Sequence, residues 1–210
     1  MIKQILGALF VAFAAIAPAY VIGPPIGQTF CTHGSYPNGP IVAYGDSLTE
    51  GYSAHAGCGY ALVLQDMVHR TVLQVAQGGY RVDQMLPRLP EVVADHPALV
   101  IVELGTNDER WDDDTAAYQR NLLTIFAALR GTPVVCLTIW PSPGHDSPAE
   151  LFRYNEPIYA NCPGPVVDIT SLAYGIYVDG ATWHPTDAGH WAIAQSVARA
   201  IRLWYPRIPQ

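Results

Sequence analysis

Charge is scarce in this chain, and positive charge is the scarcer kind. Charged residues make up 14% of its 210 positions, with 11 Lys+Arg against 18 Asp+Glu and a net charge of -7. No cluster of Lys or Arg occurs anywhere along it. Binding a phosphate backbone needs a basic surface, so the composition argues against a nucleic-acid partner. Anionic membranes and acidic polymers would repel such a protein as well. Also missing is any C-x-x-C pair, the usual spacing for zinc or thioredoxin-like chemistry. There is no internal repeat and no low-complexity tract. Half of the residues are hydrophobic, which is too many for a disordered chain, and the length suits one domain with a substantial core.

Among the features present, the N-terminus stands out first. Met1 to Gln4 is short and basic, Ile5 to Ile16 is almost unbroken apolar sequence, and Ala17-Pro18-Ala19 places small residues where a signal peptidase reads them. The pattern predicts a secretory signal over residues 1–19. The alternative is a retained membrane anchor, since apolar character continues through Tyr20-Val21-Ile22. Both readings put the domain outside the cytoplasm, secreted or periplasmic in the first case and anchored facing outward in the second. In that oxidising setting Cys31, Cys58, Cys136 and Cys162 are expected to form disulfides. Three full pairings are open, of which sequence order suggests Cys31–Cys58 and Cys136–Cys162.

Residues 20–40 are rich in Gly, Pro, Ser and Thr and predict an irregular arm or linker, with the domain proper over 41–210. Short apolar runs over 41–44, 72–75, 99–102, 134–139 and 166–169 predict five buried strands. Helical stripes fall between them. Tyr60, Leu64, Met67 and Val68 share one face, as do Tyr118, Leu122, Ile125 and Leu129 in a segment opened by Asp114 and closed by Gly131. Ile193, Val197, Ile201 and Trp204 stripe a last helix with Thr186 as its N-cap. Strand–helix alternation of this kind predicts an α/β fold, a parallel sheet covered by helices on both faces.

In such a sheet functional groups collect just past the carboxyl ends of the strands. The first strand runs into Gly45-Asp46-Ser47-Leu48, which would set the Ser47 hydroxyl at the sheet edge, although Gly, Asp and Ser are also ordinary turn residues. The second runs into Gln77-Gly78-Gly79-Tyr80, where a glycine can leave a backbone N–H open to a ligand or simply end the strand. The third runs into Gly105-Thr106-Asn107-Asp108, and Asn107 can offer an amide to a developing oxyanion or cap a turn. Before the last helix stands Asp179-Gly180-Ala181-Thr182-Trp183-His184-Pro185. His is the natural proton carrier at neutral pH, and a nearby carboxylate would orient it.

These four blocks, in this order, resemble those of the SGNH/GDSL hydrolases. The stretch from Leu86-Pro87-Arg88-Leu89-Pro90 through Val102-Glu103-Leu104-Gly105 is similar to the bacterial arylesterase and lysophospholipase branch. The resemblance spans roughly residues 41–204. It implies a three-layer α/β/α sandwich with a five-stranded parallel sheet in flavodoxin-like order. It also implies a serine esterase acting on a small-molecule, lipid or glycan ester, with no metal and no cofactor. Ser47 would be the nucleophile and His184 the general base, with an oxyanion hole from Ser47, Gly79 and Asn107. Two departures stand out. Gln74 and Gly78 occupy positions where the family usually has Asn and Ser. The usual acid lies three residues before the histidine, where this chain has Ala181. Asp179, five before, is expected to take that role through a bulged loop, with a backbone carbonyl as the alternative orienter.

Other residues read more plainly. Asp46 braces the turn, and His190 is a packing or surface residue. The acidic positions 108–109 and 112–114 lack EF-hand spacing and read as a solvated helix start. Trp140, Trp183 and Tyr80 could line a substrate groove or pack its rim. A second enzyme reading is removal of acetyl groups from a polysaccharide or peptidoglycan. A third, from a different class, is a non-catalytic glycan- or surface-binding module on the same fold.

Overall fold

The computed structural model describes residues 31, 33–36, 39–112, 114–141, 144, 147–173 and 177–208. The expected signal segment, residues 1–19, lies outside them, as does most of the arm. Among the described residues no helix is long and apolar enough to cross a membrane.

Five strands form one parallel sheet: β1 (Ile41–Gly45), β2 (Val72–Ala76), β3 (Leu99–Glu103), β4 (Val134–Leu137) and β5 (Val166–Val167). Their order across the sheet is β2-β1-β3-β4-β5. The apolar runs expected as strands are these strands, and period-two alternation sorts their side chains. Ile41 and Ala43 enter the core on one face, Val42 and Tyr44 the core on the other.

Helices cover both faces. α2 (Tyr60–Val68) and α8 (Asp187–Trp204) pack on the first through Leu64, Ile193, Val197 and Ile201. The second is covered by α3 (Val82–Met85), α4 (Leu89–Ala94), α6 (Thr115–Ala128) and α7 (Pro148–Asn161) through Met85, Val92, Leu122, Ile125 and Ile158. Two short helices, α1 (Ser47–Glu50) and α5 (Thr106–Arg110), follow β1 and β3 directly. The expected caps are in place: Asp114 accepts from Ala116 N–H at 3.0 Å and Thr186 from Gly189 N–H at 3.2 Å.

β4 and β5 are shorter than the apolar runs that announced them, because side chains take over the backbone partners. Asn155 Oδ1 accepts from Ile139 N–H at 2.9 Å and Thr106 Oγ1 from Trp140 N–H at 2.9 Å, which ends β4. Thr138 Oγ1 accepts from the N–H groups of Ile169 (2.8 Å) and Thr170 (3.1 Å), which ends β5. Both exchanges turn the chain away at the carboxyl edge of the sheet.

Two disulfides are formed, Cys31–Cys58 and Cys136–Cys162. The second ties β4 to the end of α7. The first fixes the described end of the arm, where Asp66 accepts from Gly34 N–H (3.0 Å) and Tyr36 O–H (2.9 Å). These arm residues lack regular structure, yet they are bound to the domain. Disulfides persist in oxidising compartments, so both bonds fit a protein outside the cytoplasm.

Candidate active site

The order of the sheet reverses at β1. The connections from β1 and β3 therefore leave in opposite directions, and a crevice opens beyond the carboxyl ends of these two neighbours. β1 delivers Ser47 to that crevice and β3 delivers Asn107. The Gln77–Tyr80 turn after β2 and the 177–186 loop before α8 complete its walls.

Ser47 is the first residue of α1, held by Asp46 as N-cap, whose Oδ1 accepts from Leu48 N–H at 3.0 Å. Its Oγ lies 2.9 Å from Nε2 of His184. The other ring nitrogen, Nδ1, lies 2.9 Å from the carbonyl oxygen of Thr182. A carbonyl only accepts, so Nδ1 carries the proton and Nε2 accepts from the Ser47 hydroxyl. The ring also packs on Tyr52, with centroids 4.6 Å apart. Burial holds the His184 pKa below the ordinary histidine value. The Thr182 carbonyl opposes that shift, the Arg110 charge adds to it and the Asp179 charge opposes it.

The loop that carries His184 is closed on itself. Asp179 N–H donates to the His184 carbonyl at 2.8 Å and Trp183 N–H to the Asp179 carbonyl at 2.7 Å. Trp183 takes a left-handed backbone, φ 59°, which costs a non-glycine residue energy. Its carbonyl is pinned by Trp140 Nε1–H at 2.7 Å. The Asp179 carboxylate does not reach the imidazole as expected from the sequence. It accepts from Ala181 N–H (2.9 Å) and Thr182 Oγ1–H (2.9 Å), bonds that hold it below the usual carboxylate range. The two extra residues before His184 are folded inside the loop, and the carboxylate fills the loop. Its place at Nδ1 is taken by the Thr182 carbonyl.

Gly79 lines the cleft with Ser47, Asn107 and His184, and among the described residues no acceptor takes its N–H. Its φ of 79° is one that glycine adopts freely. Gly78 sits against Glu50. Its N–H donates to Glu50 Oε2 at 2.9 Å, and a Cβ there would stand 2.7 Å from the same oxygen. A serine at this position would require the Glu50 carboxylate to shift.

Asn107 donates from Nδ2 to Asp46 Oδ2 (3.1 Å) and to the Tyr80 carbonyl (3.0 Å). Behind it lies a buried acid pair. Asp46 and Glu103 are both fully buried, and desolvation lifts Asp46 to about 6 and Glu103 well above its ordinary value. Asp46 accepts from two N–H groups. Glu103 accepts on Oε2 from the Thr49 hydroxyl at 2.9 Å, while no donor faces its Oε1 among the described residues. Burial thus favours the protonated form of both acids, and their mutual repulsion raises Glu103 further.

Ser47, His184, Gly79 and Asn107 are thus brought together, and Asp179 stands apart from the ring. Glu103 and Arg110 were not anticipated, while the Thr182 carbonyl is the backbone orienter expected as the alternative to Asp179. A glutamate ending a fully apolar strand and an arginine one helical turn after Asn107 were visible signals. A backbone carbonyl leaves none. Asp46 braces the turn as read, and Trp140 and Trp183 line a recess beside Ser47, whereas Tyr80 contributes its carbonyl. His190 is a core residue with no exposed surface: Nδ1 accepts from Tyr60 N–H and Nε2–H donates to the Tyr52 carbonyl, both at 3.2 Å. Asp108 and Glu109 are buried, contrary to a solvated helix start, and Asp108 Oδ2 accepts from Val82 N–H at 3.1 Å. No group of acids, histidines or cysteines suited to a metal occurs among the described residues.

The sequence pattern of the GDSL-like Lipase/Acylhydrolase family matches residues 43–192. Comparison with curated proteins finds no match. Solved structures share the fold. A lipase/acylhydrolase from Enterococcus faecalis superposes with a TM-score of 0.67 at 22% identity, over 81% of this chain and 98% of its own. The psychrotrophic esterase EstA from Pseudoalteromonas sp. gives 0.68 at 18% identity, over 81% and 100%. A member of the lipolytic protein G-D-S-L family from Veillonella parvula gives 0.67 at 17%, over 80% and 98%.

Proposed function

We propose, from the premise that the chain belongs to the GDSL-like lipase/acylhydrolase family, that it is an exported hydrolase of carboxylic esters working through an acyl-enzyme on Ser47. The observation that carries this reading is the 2.9 Å hydrogen bond from the Ser47 hydroxyl to the unprotonated Nε2 of His184. As Ser47 Oγ attacks the ester carbonyl, its proton passes to Nε2. The oxyanion takes N–H groups from Ser47, Gly79 and Asn107, the last by displacing the Tyr80 carbonyl from Nδ2. The imidazolium gives its proton to the departing alkoxide as the C–O bond breaks. Water, deprotonated by His184, then attacks the acyl-enzyme and releases the acid. The Thr182 carbonyl keeps Nδ1 protonated throughout, and Asp179 positions that carbonyl. The two disulfides support export, with the N-terminal signal removed or kept as an anchor.

A second reading narrows the substrate to O-acetyl groups on a polysaccharide or peptidoglycan. The recess beside Ser47, bounded by Trp140, Pro141 and Trp183, has a volume of about 30 Å³, against about 530 Å³ for the wider cleft that also reaches Ser47. The smaller space admits roughly two water-sized groups, the bulk of an acetyl and not of a fatty chain. The larger is walled by Glu50, Tyr52, Gln77 and Thr182, polar groups suited to a hydroxyl-rich alcohol.

Hydrolysis of p-nitrophenyl acetate, butyrate, octanoate and palmitate, beside Ser47→Ala, tests both. Turnover lost in Ser47→Ala, with fluorophosphonate labelling lost too, is the expected result, and activity falling steeply beyond acetate selects the acetyl reading. No turnover and no labelling would leave a binding module on a hydrolase fold.

A further inference from the structure

Arg110 ends α5, one helical turn after Asn107, so the two side chains leave neighbouring positions on that helix. Arg110 lines both the wide cleft and the narrow recess, as Ser47 and His184 do. Several other arginines have acidic partners, Arg88 with Glu91, Arg120 with Asp114 and Arg153 with Asp112, while Arg70 and Arg202 donate to backbone carbonyls. Among the described residues Arg110 has no such partner, and its one contact is with the Trp111 ring, 5.8 Å from the centroid. The carboxylate that lines the wide cleft, Glu50, is held by Gly78 N–H and does not line the recess. No carboxylate lines the recess. In a chain of net charge -7, the reaction centre is therefore flanked by a cation that has no ion-pair partner among the described residues.

We infer that Arg110 is a subsite for an anionic group, a carboxylate or a phosphate, carried by the ester substrate. This rests on the ester-hydrolase reading above and adds the charge of the substrate to it. A guanidinium presents a planar fork of N–H donors that matches either oxyanion, and its position beside Asn107 sets the charged group a short way from the scissile carbonyl. The acidic surface elsewhere disfavours anions, so discrimination falls to this one residue. The same cation is close enough to His184 to lower its proton affinity, which an anion bound at Arg110 would offset.

The test uses three acetate esters of one phenol framework: 3-acetoxybenzoate, 3-acetoxyphenyl phosphate and, as neutral reference, 3-acetoxybenzamide. The quantity read is the ratio of kcat/KM for each anionic ester to that for the amide. In Arg110→Gln the ratio is expected to fall about tenfold, the scale of one charge-assisted bidentate contact. Arg110→Lys should retain part of it and Arg110→Glu should lower it further. Raising salt should shrink the wild-type ratio and leave that of Arg110→Gln flat. The anion with the larger loss identifies the source, carboxylate or phosphate. A ratio unmoved across all three variants overturns the inference, and so does an equal loss on the amide, which would make Arg110 a general aid to the oxyanion. Turnover of the amide that vanishes in Ser47→Ala secures the underlying reading separately. Its absence would overturn both.

Discussion

The carbonyl oxygen of Thr182 receives the Nδ1 proton of His184 at 2.9 Å, in the place where a triad would hold a carboxylate. A neutral carbonyl fixes the tautomer and the ring orientation as a carboxylate does, but offsets less of the positive charge that His184 acquires when it takes the serine proton. Asp179 offsets part of that charge through space and shapes the loop through its bonds to Ala181 and Thr182.

Asp179→Asn is therefore expected to lower kcat by about tenfold or less, whereas loss of a true triad acid costs on the order of 10⁴-fold. The asparagine keeps one oxygen for Ala181 N–H, so the loop should hold its shape. His184→Ala, by contrast, removes the proton acceptor and should abolish measurable turnover. Steady-state kinetics of the two variants on one ester settle the matter. A 10⁴-fold loss in Asp179→Asn would mean that the carboxylate reaches the imidazole during the reaction.

Asn107 begins the reaction with Nδ2 already donating to Asp46 and Tyr80. Only the bond to the Tyr80 carbonyl can be exchanged without disturbing the buried acid pair, and the exchange is favourable once the substrate oxygen carries charge. Asn107→Ala should then lower kcat by about 10²- to 10³-fold with little change in KM, because the contact is made in the transition state. A rise in KM with kcat intact would place Asn107 in ground-state binding instead.

Burial, reinforced by Arg110, keeps His184 neutral to lower pH than an ordinary histidine. The base form is the active form, so kcat/KM should rise with pH through a midpoint below about 6.5, the usual histidine value. Arg110→Gln removes one of the lowering influences and should move that midpoint upward on a neutral ester. A midpoint at or above 6.5 in the wild-type protein would contradict the burial seen at the site.

The sheet was legible because each buried strand is an apolar run, and the serine, glycine, asparagine and histidine were legible because the topology puts strand ends together. Two kinds of feature stayed hidden. One is backbone chemistry: nothing in Asp179-Gly180-Ala181-Thr182 says that the loop turns its carboxylate inward and offers the Thr182 carbonyl in its place. The other is burial of acids. Asp108 and Glu109 read as solvated beside Asp112 and Asp114, because sequence spacing on a five-residue helix does not say which face the neighbouring helices will cover. Glu103 is the sharper case, where its place at the end of β3 sets a carboxyl beside Asp46 and burial, with the Asp46 charge, raises its pKa.

His190 offers a separate test of the fold, away from the chemistry. It lies in α8 with no exposed surface, and burial lowers its pKa to about 4. The unfolded chain binds that proton near 6.5, so between about 6.5 and 4 the unfolded state carries more protons and stability rises with pH. The contribution is complete above 6.5 and is lost as pH falls towards 4, a loss of about 3 kcal/mol. Asp46, raised to about 6 from its ordinary 3.8, acts the other way in nearly the same window, since there the folded state binds the extra proton. The wild-type profile is thus a difference of opposed contributions, and a variant is needed to separate them. His190→Gln can still accept from Tyr60 N–H and donate to the Tyr52 carbonyl, but it does not titrate. The stability of the wild-type protein relative to His190→Gln, from urea unfolding at pH 7, 5.5 and 4, is expected to fall by about 3 kcal/mol across the series. A constant difference would show that His190 is not held neutral in the core.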